Sequence, residues 1–232
     1  MVSLADYIKA AKVVLRNQLL INLPLAPLYF GMVYNWAIRR HIARSGLALE
    51  PGVSALDSVA GAAWASRVPT AGGLVRDLVT CAIMEEAFFY VIHRALHWGP
   101  LYRHVHKFHH QFVAPMALST TYAHPVEYVL SNLTGIVTAP ATLGIHPYSI
   151  FVWVTFSLSS VIHAHSGYEI YGWPSARLHD WHHYSFNNAF GTYGLLDTWF
   201  GTMGGDRWFK YVDAYDRRQE EAEAEAAIEN GN

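Results

Sequence analysis

The chain has 232 residues, 52% hydrophobic and only 15% charged, with a formal net charge of −2. Soluble domains carry about 25% charged residues, so this composition, with 8 Trp and 14 Tyr, points to a lipid environment. The charge balance excludes a nucleic-acid binder, which needs a basic patch or stripe, and the single cysteine, Cys81, excludes an internal disulfide.

Residues 1–73 read as an amphipathic helix, an anchor and a linker. Met1 to Gln18 carries Asp6, Lys9, Lys12 and Arg16 and suits a helix lying on a membrane surface rather than a cleaved signal. Residues 17–38 hold no charged side chain and are long enough for a bilayer crossing, which takes roughly 20 residues. Pro24 and Pro27 would kink this span, and Arg39, Arg40 and Arg44 favour a cytoplasmic end. Residues 46–73, rich in Gly, Ala, Ser and Pro, read as a re-entrant or interfacial piece.

Residues 74–211 form the expected catalytic domain. Residues 74–98 read as one helix, apolar around Cys81, that runs into His93. Glu85 and Glu86 lie within it, and an ionisable group at membrane depth marks a functional site. Residues 128–168 are 41 residues without a charge, enough for two arms, with Gly144-Ile145-His146-Pro147 as the turn between them. A helical hairpin is therefore expected, leaving one membrane face and returning to it. Residues 169–211, rich in Gly, Trp, Tyr, His and Asn, read as a cap at the membrane surface. Residues 212–232 are a charged tail with no chemistry implied. No alternation of period two marks a strand. The expected fold is an all-α integral membrane protein with about four transmembrane or re-entrant helices, and the cap carries a histidine-rich dimetal site.

The 14 histidines carry the chemistry. Three tight groups stand out: His93 and His97; His106, His109 and His110; His179, His182 and His183. Side chains three and four apart share a helix face, so each group aims imidazoles at one place. Eight buried imidazoles would be costly to desolvate and would repel one another if charged; a metal holds them neutral and bonded. Eight overshoot one zinc, which takes four ligands in a structural site and three in a catalytic one, and suit two metals. His124, before the hairpin, and His165, after it, extend the expected ligand set to ten. His163, Asp180, Glu127, Glu86 and Glu85 are expected to orient ligating imidazoles. His41 and His146 read as structural or surface residues, and His104 as pointing elsewhere.

The order and spacing HxxxH, HxxHH, HxxHH resembles the fatty acid hydroxylase/sterol desaturase superfamily over roughly residues 74–205. The connecting text is most similar to the C4-methylsterol oxidase branch. It includes Phe89-Tyr90 leading to His93-Arg94; His106-Lys107-Phe108-His109-His110 before Ala114-Pro115; Tyr122 to Glu127; His165 to Glu169; and Leu196 to Thr202. The resemblance implies a di-iron enzyme of the endoplasmic reticulum with its histidines on the cytosolic side. Zinc is able to replace iron on expression. It also implies use of O2 and electrons from NADPH through a separate donor such as cytochrome b5, since no nucleotide loop or haem-binding domain is present. The implied substrate is a membrane lipid, most like a sterol, entering between residues 74–92 and the hairpin, with Phe88, Phe89, Tyr90, Trp153 and Phe156 as pocket walls. A fatty-acyl or sphingolipid hydroxylase, or a desaturase, keeps the same site. A histidine-rich metal transporter would need ligands strung along a path and repeated halves, and no halves repeat.

Overall fold

The computed structural model describes residues 2–29, 31, 39, 40, 43, 68–170 and 173–230. Most of the expected span beyond Tyr29, together with His41, Arg44 and residues 46–67, lies outside the described residues. Among those described the structure is all-helical.

Helix α1, Leu4–Asn17, starts at a capping box in which the Ser3 hydroxyl and backbone bond the Asp6 carboxylate and the Asp6 amide returns the bond. Leu4, Ile8 and Leu15 are exposed on it. Asn17 is buried, and its amide nitrogen donates to the carbonyls of Thr121 and Ala123, tying α1 to the loop before the hairpin. A π-helical turn, Gln18–Asn22, hands over to α2, Leu23–Tyr29. Pro24, which has no amide proton to give, stands at that junction.

Helix α3, Ala71–Leu96, is capped by Thr70. Its buried face carries Asp77, Cys81, Glu85, Glu86, Tyr90 and His93, which follow one side of the helix from turn to turn. Its opposite face presents Val75, Val79, Ile83 and Val91, the last 63% exposed. A soluble amphipathic helix buries its apolar side; α3 is turned inside out. After α3 come a short helix α4, Gly99–His104, and two 3₁₀ turns, His106–Gln111 and Ala117–Thr121.

The hairpin is present. A helical turn Pro125–Glu127 and a π turn Tyr128–Leu133 lead into α5, Thr134–Leu143; α6 is Pro147–Ala164. The reversal rests on Gly144, whose φ of +59° is left-handed and cheap for glycine alone. His146 then caps α6 through Nδ1, which accepts from the Tyr148 amide, and Pro147 fills the first helical position. Cys81, Ala139, Ile145 and Trp153 pack α3, α5 and α6 together, with Trp153 Nε1 donating to the Ile136 carbonyl. Like α3, α6 buries Ser149, Ser157, Ser160 and His163 and exposes Phe151, Leu158 and Ile162. Among the described helices, α6 is the one long and apolar enough to cross a membrane, by length and composition. About four transmembrane or re-entrant helices were expected from the sequence; among the described residues one helix meets that length and composition.

The cap consists of α7, Ala176–Ser185, the short α8, Leu195–Phe200, and α9, Asp206–Asn230. Helix α9 runs unbroken across the 211/212 boundary at which the tail was expected to begin. It packs on α7 through Trp208 and Tyr211, which close over Leu178 and Trp181.

Candidate metal centre

The last turn of α3, the first 3₁₀ turn, the end of α6 and helix α7 converge below the cap. They sort nine imidazoles into two groups, each with its ligand nitrogens within 4.8 Å of one another. The first is His93, His97, His106, His110 and His182; the second is His109, His165, His179 and His183. Each HxxHH motif is divided in the same way. Its first and last histidines, one helical turn apart, enter one group, and the middle one enters the other.

Nε2-to-Nε2 distances in the first group are 3.1 Å for His93–His106, 3.0 Å for His106–His110, 3.0 Å for His110–His182 and 3.2 Å for His97–His182. In the second they are 2.9 Å for His165–His179 and 3.0 Å for His179–His183.

The protons on these rings are assigned by what the Nδ1 atoms face. His93 Nδ1 lies 2.8 Å from the Phe190 carbonyl, His182 Nδ1 2.8 Å from that of Asn188, His109 Nδ1 3.1 Å from that of Tyr122, and His165 Nδ1 2.8 Å from that of Val161. A carbonyl only accepts, so Nδ1 is the donor and Nε2 of the neutral ring is bare. His106 Nδ1 stands 2.9 Å from Glu127 Oε1 and donates to it when that carboxyl is ionised. With Glu127 as the carboxylate, His93 and His106 aim two bare nitrogens at each other, 3.1 Å apart, and that pair is then no hydrogen bond. A cation between the nitrogens resolves the clash of lone pairs. With metal–nitrogen bonds of about 2.1 Å, adjacent ligands at a right angle stand about 3.0 Å apart. A proton is the poorer candidate. Burial holds His97 and His109 down to about 4, and burial with neighbouring imidazoles holds His106, His110, His179, His182 and His183 well below the ordinary histidine value. The donor set fits two metal ions of borderline softness, for which imidazole is a good ligand.

Comparison with known proteins agrees with this geometry. Residues 78–202, more than half of the chain, match the model of the fatty acid hydroxylase family. The chain belongs to that family.

Fatty acid hydroxylase domain-containing protein 2 of Homo sapiens is 37% identical over 150 residues, covering 65% of this chain and 44% of that protein. Fatty acid hydroxylase ahd1 of Mycosarcoma maydis is 39% identical over 135 residues, 58% of this chain and 35% of that one. Methylsterol monooxygenase erg25A of Aspergillus fumigatus is 33% identical over 168 residues, 66% and 53%. The chain thus spans about half the length of these relatives, or less. No solved structure matches it. The matched region contains every histidine of the two groups.

Several expected participants stand elsewhere. His124 is outside both groups: its Nδ1 accepts from the Val126 amide and caps the turn that opens the hairpin. His163 donates from Nδ1 to the Pro174 carbonyl and accepts at Nε2 from the Ile170 amide, so it fixes the exit of α6 and touches no ligand nitrogen. Asp180 accepts from the Tyr211 hydroxyl on the outer side of α7 instead of orienting an imidazole. Glu86 accepts from the amides of Tyr193 and Leu196, and Glu85 from the Tyr193 hydroxyl; both brace the loop after α7. Of the expected carboxylates, Glu127 is the one on a ligating ring.

Asp197 was not singled out by the sequence. Fully buried, it accepts from the amides of Phe190 and Gly191 and from Thr202 Oγ1. It thereby sets the Phe190 carbonyl that holds His93. Gly191 threads between this carboxylate and Glu86. A Cβ there would lie 2.5 Å from Glu86 Oε1 and 2.9 Å from Asp197 Oδ2.

A cavity of about 50 Å³ touches both groups on the hairpin side. Its apolar wall is Phe89, Val161 and Ala164; its polar wall is Thr120, Glu127, Ser131 and Asn132. Of the five expected pocket residues only Phe89 lines it. Phe88 is exposed, Tyr90 stacks on Phe200 and bonds Arg94 and Thr202, Trp153 is core, and Phe156 stacks on Trp173.

Proposed function

We propose that this protein is a membrane-embedded di-iron oxygenase that uses O2 to oxidise a C–H bond of a lipid. The observation that carries the proposal is the arrangement of nine imidazoles into adjoining groups with bare nitrogens facing each other. Bound there, a pair of redox-active metals supplies the O2 chemistry that amino-acid side chains lack. The chain's own residues do the rest. Carbonyls of Asn188, Phe190, Tyr122 and Val161 and the carboxylate of Glu127 keep the protons on Nδ1 and the rings aimed. The cap and hairpin exclude bulk water, and Phe89, Val161 and Ala164 give an approaching carbon an apolar wall. The polar interior and apolar exterior of α3 and α6 support insertion in a bilayer, and an apolar substrate is reached from there. We place the centre on the cytosolic side of the endoplasmic reticulum membrane, with electrons coming from NADPH through a separate carrier protein.

A sterol is the favoured substrate, supported by similarity to methylsterol monooxygenases of Aspergillus fumigatus and Danio rerio. An acyl lipid is the second reading, favoured by the relative named fatty acid hydroxylase. A cavity of about 50 Å³ is far below the 300–1,000 Å³ or so of pockets that enclose drug-sized ligands, so either substrate needs more room than the described side chains leave there. The test supplies ¹⁸O2, a 4-methylsterol or a long-chain acyl lipid, and a reductant to the metal-loaded protein. One labelled oxygen gained by the sterol is expected. Labelled acyl lipid alone would move the assignment to the second reading, and loss of two hydrogens without label would make the protein a desaturase. No oxidation of either, in protein holding about two metals per chain, would overturn the proposal.

A further inference from the structure

A groove of about 670 Å³ lies between α7 and α9, on the side of α7 facing away from the metal centre. Helix α7 contributes Trp181 and Tyr184 to it, and α9 contributes Arg207, Lys210, Arg217 and Arg218. Those four are every basic residue of α9. Their spacing puts them on one stripe of the helix. Among the described carboxylates of α9, Glu221 alone joins them. The one carboxyl that α7 adds, Asp180, accepts from the Tyr211 hydroxyl. Among the described residues none of the four cations is in an ion pair. The tail as a whole is acidic, yet its positive charge is gathered in a concavity, where low-dielectric walls focus the field and raise encounter rates with anionic partners.

The groove also has a floor that leads inward. The Trp181 ring lies 5.2 Å from that of Tyr211 and 6.2 Å from that of Trp208, centre to centre, and Tyr184 stacks on Tyr211 at 5.6 Å. Trp181 is flanked in the chain by His182 and, two residues away, by His179 and His183. From groove to ligand nitrogens is the thickness of one helix, about 10 Å.

Resting on the oxygenase reading, the reaction fixes what must come through. Converting a C–H bond to an alcohol with O2 places one oxygen in the product and releases the other as water. That requires two electrons and two protons from outside the substrate. Within these 232 residues no nucleotide loop or haem-binding motif supplies the electrons. We propose that the groove between α7 and α9 docks an acidic one-electron carrier protein, which passes electrons across α7 to the metal centre. An anionic lipid headgroup would match the charge, but it would have no need to sit on the helix that serves both histidine groups.

The test uses the full-length protein in discs of uncharged lipid, with the soluble haem domain of cytochrome b5 as the acidic probe and cytochrome c as the basic control. The acidic probe is expected to bind wild type, to lose affinity steeply between about 0.02 and 0.3 M salt as charges are screened, and the basic probe is expected not to bind. Lys210→Glu/Arg217→Glu is expected to weaken acidic-probe binding and slow probe reoxidation on the order of tenfold or more. The milder Lys210→Gln/Arg217→Gln should fall between. Metal content and dithionite-driven turnover should stay unchanged in both variants. Equal binding by wild type and both variants overturns the proposal. So does a double variant whose loss shows only with phosphatidylserine vesicles. Salt-sensitive carrier binding without product from either carrier or dithionite would instead condemn the oxygenase reading and leave the docking site standing.

Discussion

Glu127 shows how much one buried carboxylate can do. Oε1 faces His106, Oε2 is buried with no protein partner, and the residue lines the cavity beside the histidines. A carboxylate behind a metal-bound imidazole fixes its tautomer and raises its basicity. Glu127→Gln, which can still accept but carries no charge, is expected to weaken metal binding in the first group on the order of 10- to 100-fold, measured by competition with a chelator. Unchanged affinity would reduce Glu127 to a packing residue. His182→Ala should cost metal outright, whereas His124→Ala should keep both metals and lose about 1 kcal/mol of helix-capping stability; metal content and thermal unfolding of the two variants check this. His124 and His182 are the same residue type in equally suggestive contexts, and sequence alone does not tell a cap from a ligand. In α7 the residues at 179, 182 and 183 share a face; 180 lies about 100° from 179 but about 60° from 183, so spacing alone does not say which way Asp180 turns.

At the scale of the element, the loop after α7 is the least regular piece and the most constrained. Phe186 and Ala189 both have positive φ, a conformation costly for residues with side chains. It is held by Asp197 and Glu86 from either side. Gly191→Ala should push these two carboxylates apart, shift the Phe190 carbonyl off His93, and lower both metal content and thermal stability. A variant with wild-type metal content would show that the loop adapts. These supports were invisible beforehand because the donors are backbone amides, which nearly every residue has. Helix α3 supports a second prediction. Ile83 sits mid-helix on the exposed apolar side. If that side meets lipid, Ile83→Arg costs about 2.5–3.5 kcal/mol of insertion, whereas in water it would be nearly neutral. Membrane fractionation and carbonate extraction of the variant decide which.

For the whole molecule, the helices, the hairpin and the histidine spacing were readable because they depend on local pattern. The division of the histidines was not, because it depends on how a 3₁₀ turn, a helix end and α7 are oriented after they meet. The gathered imidazoles also tie stability to acidity. His97 and His109 are held to about 4 in the folded protein, against about 6.5 for an unperturbed ring. The unfolded chain therefore binds more protons between these values. Their contribution to the metal-free fold is present above about 6.5 and is lost as pH falls toward 4. Unfolding followed across that range should show the loss, and metal should displace it to lower pH because protons and metal compete for the same nitrogens. A flat profile would mean the rings are hydrated rather than dry.

His109 and His110 are neighbours in the chain, as are His182 and His183, and in both pairs the two rings serve different groups. Each pair is a covalent stitch across the centre, one peptide long, and consecutive Cα atoms are held about 3.8 Å apart. Two such stitches from opposite walls make the backbone a gauge for the separation of the metals. An ion entering one group orders backbone that the other shares, so loading is expected to be cooperative, with half-filled protein scarce at any metal supply.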